Sequence, residues 1–188
     1  MSKFTRSRLL AFALAISVMV GGGIIAVHHY VAKSKIEILD FDENRDKSFI
    51  LDIFKNDWYW LVSEYSTDFS PEYMMHYRAS SKSAENIGDL TIKVIYENGK
   101  PVGFTAYHKL SLYIGRIIFV AVDKNFRSKG YGYKLLQLAV DDLKSRGAQK
   151  IRLVTRTNNA PGIKLYTRFG FKETSRDEDG FVYFQYEV

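Results

Sequence analysis

Residues 117–132 read IIFVAVDKNFRSKGYG. Within the predicted strand Arg116–Val122, the apolar run 117–122 does not alternate with polar residues, which predicts a central strand that is covered on both faces of a sheet. From Tyr133 the apolar positions recur at helical spacing, which predicts an amphipathic helix that ends at Gly147. Its apolar face comprises Leu136, Ala139, Val140 and Leu143. The stretch therefore predicts a strand, a glycine-rich loop and a helix in succession.

The loop between this strand and this helix suits phosphate binding. The first amide N–H groups of a helix have no partner within it, and the helix dipole adds positive charge there. Gly130 and Gly132 allow a ligand to approach the backbone, and Arg127 and Lys129 add formal charge. An ordinary turn would use the glycines for its geometry alone, and the fragment by itself leaves both interpretations open. The dinucleotide-binding fingerprint is broken at Leu135, and the triphosphatase loop G-x-x-x-x-G-K-[ST] is absent.

The rest of the chain after residue 35 alternates strands and helices. Asn98-Gly99 favours a tight hairpin between two strands, and a strand, a helix and a strand follow it, which predicts a right-handed crossover. The fold class is therefore α+β with a mixed sheet. The predicted strands are 36–41, 90–96, 102–108, 116–122, 150–155, 171–174 and 181–187, and the other predicted helices are 46–64, 71–78 and 161–169.

Two motifs resemble signatures of the GNAT superfamily of N-acetyltransferases. Arg127-x-x-Gly130-x-Gly132 resembles its acyl-CoA motif, R/Q-x-x-G-x-G/A, and follows Val120-Ala121-Val122-Asp123. The family's N-x-x-A-x-x-L-Y-x-x-x-G-F resembles Asn159-x-x-Gly162-x-x-Leu165-Tyr166-x-x-Phe169-Gly170-Phe171. The resemblance covers about residues 35–188 and is closest to the protein N-terminal, ribosomal-protein-alanine type. It implies the GNAT fold, a mixed, mostly antiparallel sheet with helices on both faces.

The resemblance also implies where acetyl-CoA binds. In the family two parallel strands, here 116–122 and 150–155, separate at their C-terminal ends, and the pantetheine arm enters the gap. The arm would pair with the backbone of Val120, Ala121 and Val122, and an N–H near Val120 would stabilise the oxyanion. The diphosphate would rest on the loop residues Arg127, Ser128, Lys129, Gly130, Tyr131 and Gly132.

The second motif supplies the remaining implied site residues. Asn159 lies at the position whose side chain helps to hold the CoA arm. Tyr166 lies at the position of the general acid, which protonates the departing CoA thiolate. A tyrosine that packs in the core, on the apolar face of its helix, is the alternative interpretation of Tyr166.

One position departs from the family's pattern. A glutamate that often serves as the base falls at Arg116, and arginine stays protonated and cannot accept the amine's proton. An α-amine, with a pKa of about 7.7–8, needs less help than a lysine at about 10.4, and His108 and Glu97 are other conceivable bases. The region that covers the acceptor in the family is here rich in aromatic residues. These residues could contact the acceptor, but packing of the helices onto the sheet explains them equally well. These residues are Trp58, Tyr59, Trp60, Tyr73 and Tyr77, together with His76.

The first 33 residues form a separate segment. Leu9–Val27 carries no charge, and as a helix it would reach about 28 Å, close to the ~30 Å hydrocarbon layer of a bilayer. We predict a single-pass membrane anchor within residues 9–27 and an acetyltransferase domain at residues 34–188. A cleaved signal peptide, which would give a secreted form, and a buried helix are the alternatives. Because acetyl-CoA is a cytosolic metabolite, we expect a cytosol-facing domain, although basic residues on both sides of the span leave its orientation open.

The charge balance of the chain argues against a nucleic-acid partner. Residues 1–33 hold four basic residues and no acidic ones, so the remainder is nearly neutral. Four scattered histidines and the absence of cysteine predict no metal site. The sequence therefore predicts a membrane-anchored enzyme that transfers an acetyl group from acetyl-CoA to a primary amine of a protein N-terminus, a lysine or a small molecule. The alternatives are a membrane-tethered regulatory module that binds acyl-CoA without catalysis, which Arg116 favours, and a membrane-anchored partner-binding domain that binds no CoA.

Overall fold

The structure is a computed structural model that describes residues 34–62, 69–76 and 89–188. These residues belong to the unit Ser34–Val188. Of the helices that they form, none has the length and apolar character needed to cross a membrane. The predicted anchor at residues 9–27 lies outside the described residues, and so does Tyr77 of the predicted acceptor cover.

The described residues form seven strands, four α-helices and a short 3-10 helix at Lys124–Phe126. The strands are β1 (Ile36–Asp40), β2 (Thr91–Glu97), β3 (Lys100–Lys109), β4 (Ile114–Val122), β5 (Lys150–Arg156), β6 (Lys172–Arg176) and β7 (Phe181–Glu187). The helices are α1 (Glu43–Leu61), α2 (Pro71–Met75), α3 (Tyr131–Ser145) and α4 (Ala160–Phe169). The strands form one sheet in the order β1-β2-β3-β4-β5-β7-β6, in which β4 and β5 are parallel and the other neighbours are antiparallel. The predicted mixed, mostly antiparallel sheet is confirmed.

Helices cover both faces of this sheet, as predicted. Side chains of α1 and α2 pack on one face, in a cluster that includes Ile50, Phe54, Met74, Phe104 and Phe119. Side chains of α3 and α4 pack on the other face, in a cluster that includes Leu136, Leu143, Ile151, Tyr166 and Val182. The strand that is buried along nearly its whole length is β3, in which residues 102–108 are all buried.

The prediction that β4 is covered on both faces is wrong in the first half of the strand. Arg116 and Ile118 are exposed there, Ile118 by 36%. The register with β3 shifts at this point, since Tyr107 faces Ile117 whereas Ala106 faces Phe119, which leaves Ile118 as an extra residue in a β-bulge. As a result Ile117 packs under α3, and Phe119 packs under α1. The missing alternation in the sequence therefore reflects a bulge, where the strand switches faces.

A buried carboxylate fixes the start of α1 on the sheet. Asp46 is fully buried and accepts hydrogen bonds from Arg45 Nε at 3.0 Å, the Asp42 backbone N–H at 2.9 Å and the Tyr96 hydroxyl of β2. Burial alone would raise the pKa of Asp46, but the hydrogen bonds from Arg45 and Tyr96 hold it below its ordinary value. Asp42 caps the helix by accepting from the Arg45 N–H at 3.0 Å.

Candidate active site

The parallel strands β4 and β5 separate towards their C-terminal ends. They pair only from Ile114–Arg116 to Lys150–Arg152, although β4 continues to Val122 and β5 to Arg156, and both strands lie within the described residues. A wedge-shaped gap therefore opens between them. The separation that the sequence resemblance implies is present in the structure.

Backbone groups of β4 point into this gap. The Asp123 N–H donates to the Val102 carbonyl of β3 at 2.9 Å, and backbone groups alternate in direction along a strand. Ala121 therefore directs its backbone towards β3, whereas Val120 and Val122 direct theirs towards β5. Of the three predicted pantetheine contacts, Val120 directs both backbone groups to the gap and Val122 directs its N–H there, since the Val122 carbonyl accepts from Arg127 Nε.

The loop after β4 has the backbone geometry of an anion site. Ser128 and Gly130 have positive φ angles of 64° and 85°, and α3 begins at Tyr131 without a side-chain cap in the described part of the chain. The N–H groups of the first turn of α3 are thus left for a ligand or water. A Cβ at Gly130 would meet no atom within 4 Å, so glycine is favoured there by its φ angle alone; one at Gly132 would lie 3.3 Å from Leu165 Cδ2 of α4.

The two cations of the loop are paired with carboxylates from other elements. Arg127 donates through Nε to the Val122 carbonyl at 3.0 Å and through Nη2 to Asp57 of α1. Lys129 Nζ lies 3.1 Å from Glu97 at the end of β2. Both pairs fix the loop against the body of the domain.

Tyr131 completes the contacts of the loop and is 95% buried, with 5% of its surface exposed. Burial, together with its hydrogen bond to Glu97, raises the pKa of Tyr131 to about 12. The hydrogen bonds from Tyr131 and Lys129 lower the pKa of Glu97. A carboxylate with a lowered pKa is a weaker base, and Glu97 faces the loop, so the structure disfavours it as the base that accepts the amine's proton.

Tyr166 lies on α4 within the apolar cluster under α3 and α4. It is 9% exposed, and its ring centre lies 5.9 Å from that of Phe184 and 6.3 Å from that of Phe171. Val120 packs against the same cluster. Burial raises the pKa of Tyr166 to about 12, so its phenol keeps its proton at neutral pH, as a proton donor must.

Asn159 uses its side-chain amide within the protein. Its Oδ1 accepts from the Gly162 N–H at 3.1 Å, which caps α4, and its Nδ2 donates to Thr155 Oγ1 of β5 at 2.8 Å. A Cβ at Gly162, where the family's motif has alanine, would lie 2.5 Å from Asn159 Nδ2. The glycine at position 162 thus makes room for this cap, and a contact of Asn159 with CoA stays a prediction.

Comparison with known proteins identifies the family. The acetyltransferase (GNAT) family profile matches residues 50–171. The chain belongs to the GNAT acetyltransferase family. The ribosomal protein bS18-alanine N-acetyltransferase of Escherichia coli is 32% identical over 117 residues, which are 58% of this chain and 78% of that enzyme.

The chain is also similar to two other proteins. The UPF0157 protein YqkA of Bacillus subtilis is 39% identical over 88 residues, which are 46% of this chain but only 25% of that protein. The fold matches that of the PaiA N-acetyltransferase of Thermoplasma acidophilum in complex with coenzyme A, with a TM-score of 0.63, 18% identity and coverage of 82% of this chain and 99% of that one. Membership of the family confirms the predicted acetyltransferase class, with acetyl-CoA as the co-substrate and an amine as the acceptor.

His108, one of the residues considered as the base of this GNAT acetyltransferase, lies beside a positive charge. His108 of β3 is 7% exposed and lies opposite Arg116 of β4. Burial, followed by the charge of Arg116, lowers the pKa of His108, so its imidazole is neutral at pH 7. A neutral imidazole with a lowered pKa is a weak proton acceptor.

The predicted acceptor cover does not form a single cluster among the described residues. His76 lies 3.4 Å from Glu43 at the first turn of α1, whereas Trp58 packs on Phe69 near the other end, with ring centres 6.0 Å apart. Trp58 follows Glu43 by 15 positions, which is about 22 Å along a helix axis. Trp58, Tyr59 and Trp60 therefore lie at the C-terminal end of α1, whereas His76 lies at its start. The aromatic residues of the predicted cover with large exposed surfaces are Trp58, Tyr59, Trp60 and Tyr73.

Arg156, at the end of β5, lies near the candidate site and was not predicted from the sequence. It is 6% exposed and donates through Nε to the Tyr59 carbonyl at 2.5 Å and through Nη2 to the Val62 carbonyl at 3.1 Å. Its guanidinium also lies 4.1 Å from the ring centre of Tyr59 and 5.2 Å from that of Phe181. Arg156 thus caps the C-terminal end of α1 and holds it beside the gap. Its partners are 94 and 97 residues away, and no local pattern marks such a contact.

Proposed function

We propose that this GNAT acetyltransferase acetylates the α-amine of a protein N-terminus. The observation that supports acetyl-CoA binding is the gap between β4 and β5, which the uncapped start of α3 adjoins; the choice of acceptor rests on the weak bases described below. In the proposed site the pantetheine arm pairs with the backbone of Val120 and Val122, and the diphosphate rests on the amides of residues 127–132. Both contacts place the thioester beside the strand edge.

The transfer step requires one nucleophile and one proton donor. The neutral amine nitrogen attacks the thioester carbonyl carbon, and a backbone N–H near Val120 stabilises the oxyanion that forms. As the carbon–sulfur bond breaks, the CoA thiolate takes the phenolic proton of Tyr166, and the new amide nitrogen releases its extra proton to solvent. Solvent then returns a proton to Tyr166, so the cycle leaves the enzyme unchanged.

The weakness of the available bases supports an α-amine as the acceptor. Arg116 holds the position at which related enzymes often carry glutamate, and the pKa values of His108 and Glu97 are both lowered. An α-amine with a pKa of about 7.7–8 is substantially neutral at physiological pH, whereas a lysine at about 10.4 is not. The name of the E. coli relative, which describes an alanine N-acetyltransferase of a ribosomal protein, points the same way.

We further propose that residues 9–27 anchor the enzyme in a membrane and leave residues 34–188 on the cytosolic side. The uncharged run Leu9–Val27 and the cytosolic supply of acetyl-CoA support this proposal. Protease treatment of sealed vesicles with a known orientation tests it. Digestion of the domain in inside-out vesicles, with protection in right-side-out vesicles, is expected; the reverse pattern or a cleaved, released form contradicts it.

Mass spectrometry with matched peptides tests the acceptor. The full chain in detergent is incubated with acetyl-CoA and a peptide that has a free N-terminal alanine and one internal lysine, and with the same peptide blocked at its N-terminus. We expect acetylation of the free α-amine and at most slow modification of lysine in the blocked peptide. Equal transfer to lysine would contradict the choice of acceptor, and acetyl-CoA binding without transfer to any amine would favour the non-catalytic module.

A further inference from the structure

We propose that Asp57 is a positioning residue for acetyl-CoA, because it aims the Arg127 guanidinium at the diphosphate. The inference rests on the proposed function, since it concerns how the same cofactor is held. Asp57 lies on α1, outside both family motifs, and 70 residues before Arg127.

The two contacts of Arg127 occupy one edge of its guanidinium. Nε donates to the Val122 carbonyl and Nη2 to Asp57, and these two nitrogens lie along the same side of the planar group. The end of the group, formed by Nη1 and the second N–H of Nη2, has no partner in the described part of the chain. A guanidinium that is held in this way presents two parallel N–H groups to a phosphate.

The exposure of the two side chains shows which of them faces solvent. The Asp57 side chain is 15% exposed, whereas that of Arg127 is 47% exposed. The carboxylate thus lies behind the arginine, towards the protein, and the arginine faces solvent at the loop. In this order the arginine lies between the carboxylate and an incoming anion, so the carboxylate orients the cation.

The local shape of α1 brings Asp57 to this place. The helix deviates from helical backbone angles at Asp57, with φ −123° and ψ 23°, and resumes for one further turn. That last turn is held independently, because Arg156 of β5 donates to the Tyr59 and Val62 carbonyls. Removing the Asp57 carboxylate therefore leaves the end of α1 attached to the sheet, and the variant is expected to fold.

The test compares two acetyl donors that differ in the diphosphate. Wild-type protein, Asp57→Ala and Asp57→Asn are titrated with acetyl-CoA and with S-acetyl-pantetheine, which has no phosphate, and steady-state kinetics are measured with both donors. We expect Asp57→Ala to weaken acetyl-CoA binding and to raise its KM about tenfold, with kcat and the S-acetyl-pantetheine parameters unchanged, since a charge-assisted contact to phosphate is lost. Asp57→Asn keeps an oxygen acceptor and is expected to recover part of the affinity.

Two control variants match the change. Asp52→Ala removes a carboxylate from the exposed surface of the same helix, and Glu173→Ala removes one that holds Arg176 through Nε and Nη2 at 2.7 and 2.9 Å on β6. Neither is expected to alter acetyl-CoA affinity. Tighter acetyl-CoA binding by Asp57→Ala would overturn the inference and show that Asp57 competes with the diphosphate. Equal loss with both donors would also overturn it, and would assign Asp57 a structural role.

The outcomes separate this inference from the proposed function. If wild-type protein binds no acetyl-CoA, the proposed function itself fails. If wild-type protein binds acetyl-CoA and Asp57→Ala binds it equally well, only the role of Asp57 is refuted.

Discussion

Replacing Tyr166 by phenylalanine removes a single oxygen from a packed ring. The ring contacts with Phe171 and Phe184, at 6.3 and 5.9 Å between centres, are retained by the variant. We therefore expect the free energy of unfolding to change by less than about 1.5 kcal/mol. A general acid contributes about 10²–10⁴-fold to rate, so kcat is expected to fall by at least about a hundredfold with little change in acetyl-CoA affinity.

The raised pKa of Tyr166 also determines how the activity of the wild-type enzyme depends on pH in the alkaline range. Burial raises this pKa to about 12. At pH 10 about 1% of such a phenol is ionised, whereas a tyrosine with an ordinary pKa of about 10 would be half ionised. Because the proton donor must be protonated, kcat/KM should rise as the α-amine loses its proton near pH 8 and should then hold its value to pH 10.

Release of the CoA thiol, followed with a chromogenic disulfide from pH 6.5 to 10, measures both effects. Tyr186→Phe is the matched control, since Tyr186 packs on Phe169 and Phe171 at the edge of the same cluster. The reasoning is refuted if Tyr166→Phe retains kcat within twofold of wild type. It is also refuted if wild-type activity falls by half at pH 10 while the protein stays folded by circular dichroism.

Three further substitutions, with Gly99→Ala as a control for the first, test the loop, the end of α1 and its start. Gly130→Ala and Gly99→Ala both place alanine at a positive φ, of 85° and 80°, with no atom within 4 Å of the new Cβ. Each variant should lose about 1–2 kcal/mol of unfolding free energy in urea. Only Gly130→Ala should weaken acetyl-CoA binding, as measured by calorimetry. Arg156→Met removes two hydrogen bonds from the end of α1 and should cost about 2–4 kcal/mol in the same unfolding assay, whereas a small effect would show that α1 is held elsewhere. The pKa of Asp46 is lowered in the folded state, so its contribution to stability is present above the unfolded-state pKa of about 3.9 and is lost as the pH falls through the lower folded-state pKa. Asp46→Asn should therefore be less stable than wild type at pH 7. Its free energy of unfolding should also depend less on pH below pH 4.

The elements that the sequence predicted well are those specified by neighbouring residues. The change of period after Gly132 predicts α3, Asn98-Gly99 predicts the β2–β3 hairpin, and both are present in the structure. The second family motif is also local: Asn159 caps α4, and Gly170 ends it with a φ of 114°. Such features depend on hydrogen bonds within a few residues, which a linear pattern records.

The bulge at Ile118 could not be predicted in the same way. The run Ile117-Ile118-Phe119 has the composition of a strand that is buried on both faces of the sheet. Only the register with β3 shows that β4 has one extra residue at this point. The contacts of Asp57 with Arg127 and of Arg156 with Tyr59 join residues that are 70 and 97 positions apart. Their side chains look like ordinary surface charges in the sequence, because nothing local indicates that the end of α1 returns to the sheet.

The bulge in β4 helps to position the end of α1. Because Ile118 is extra, Phe119 turns to the face of α1, where its ring meets that of Phe54 edge-on with centres 5.1 Å apart. Phe54 lies one turn before Asp57, so the contact sets the height at which α1 passes the end of β4. Beyond Asp57 the helix is held by Arg156 from β5. One segment therefore contacts both the loop that follows β4 and the end of β5, so a movement that widens the gap is expected to strain the contacts with Arg127 and Arg156.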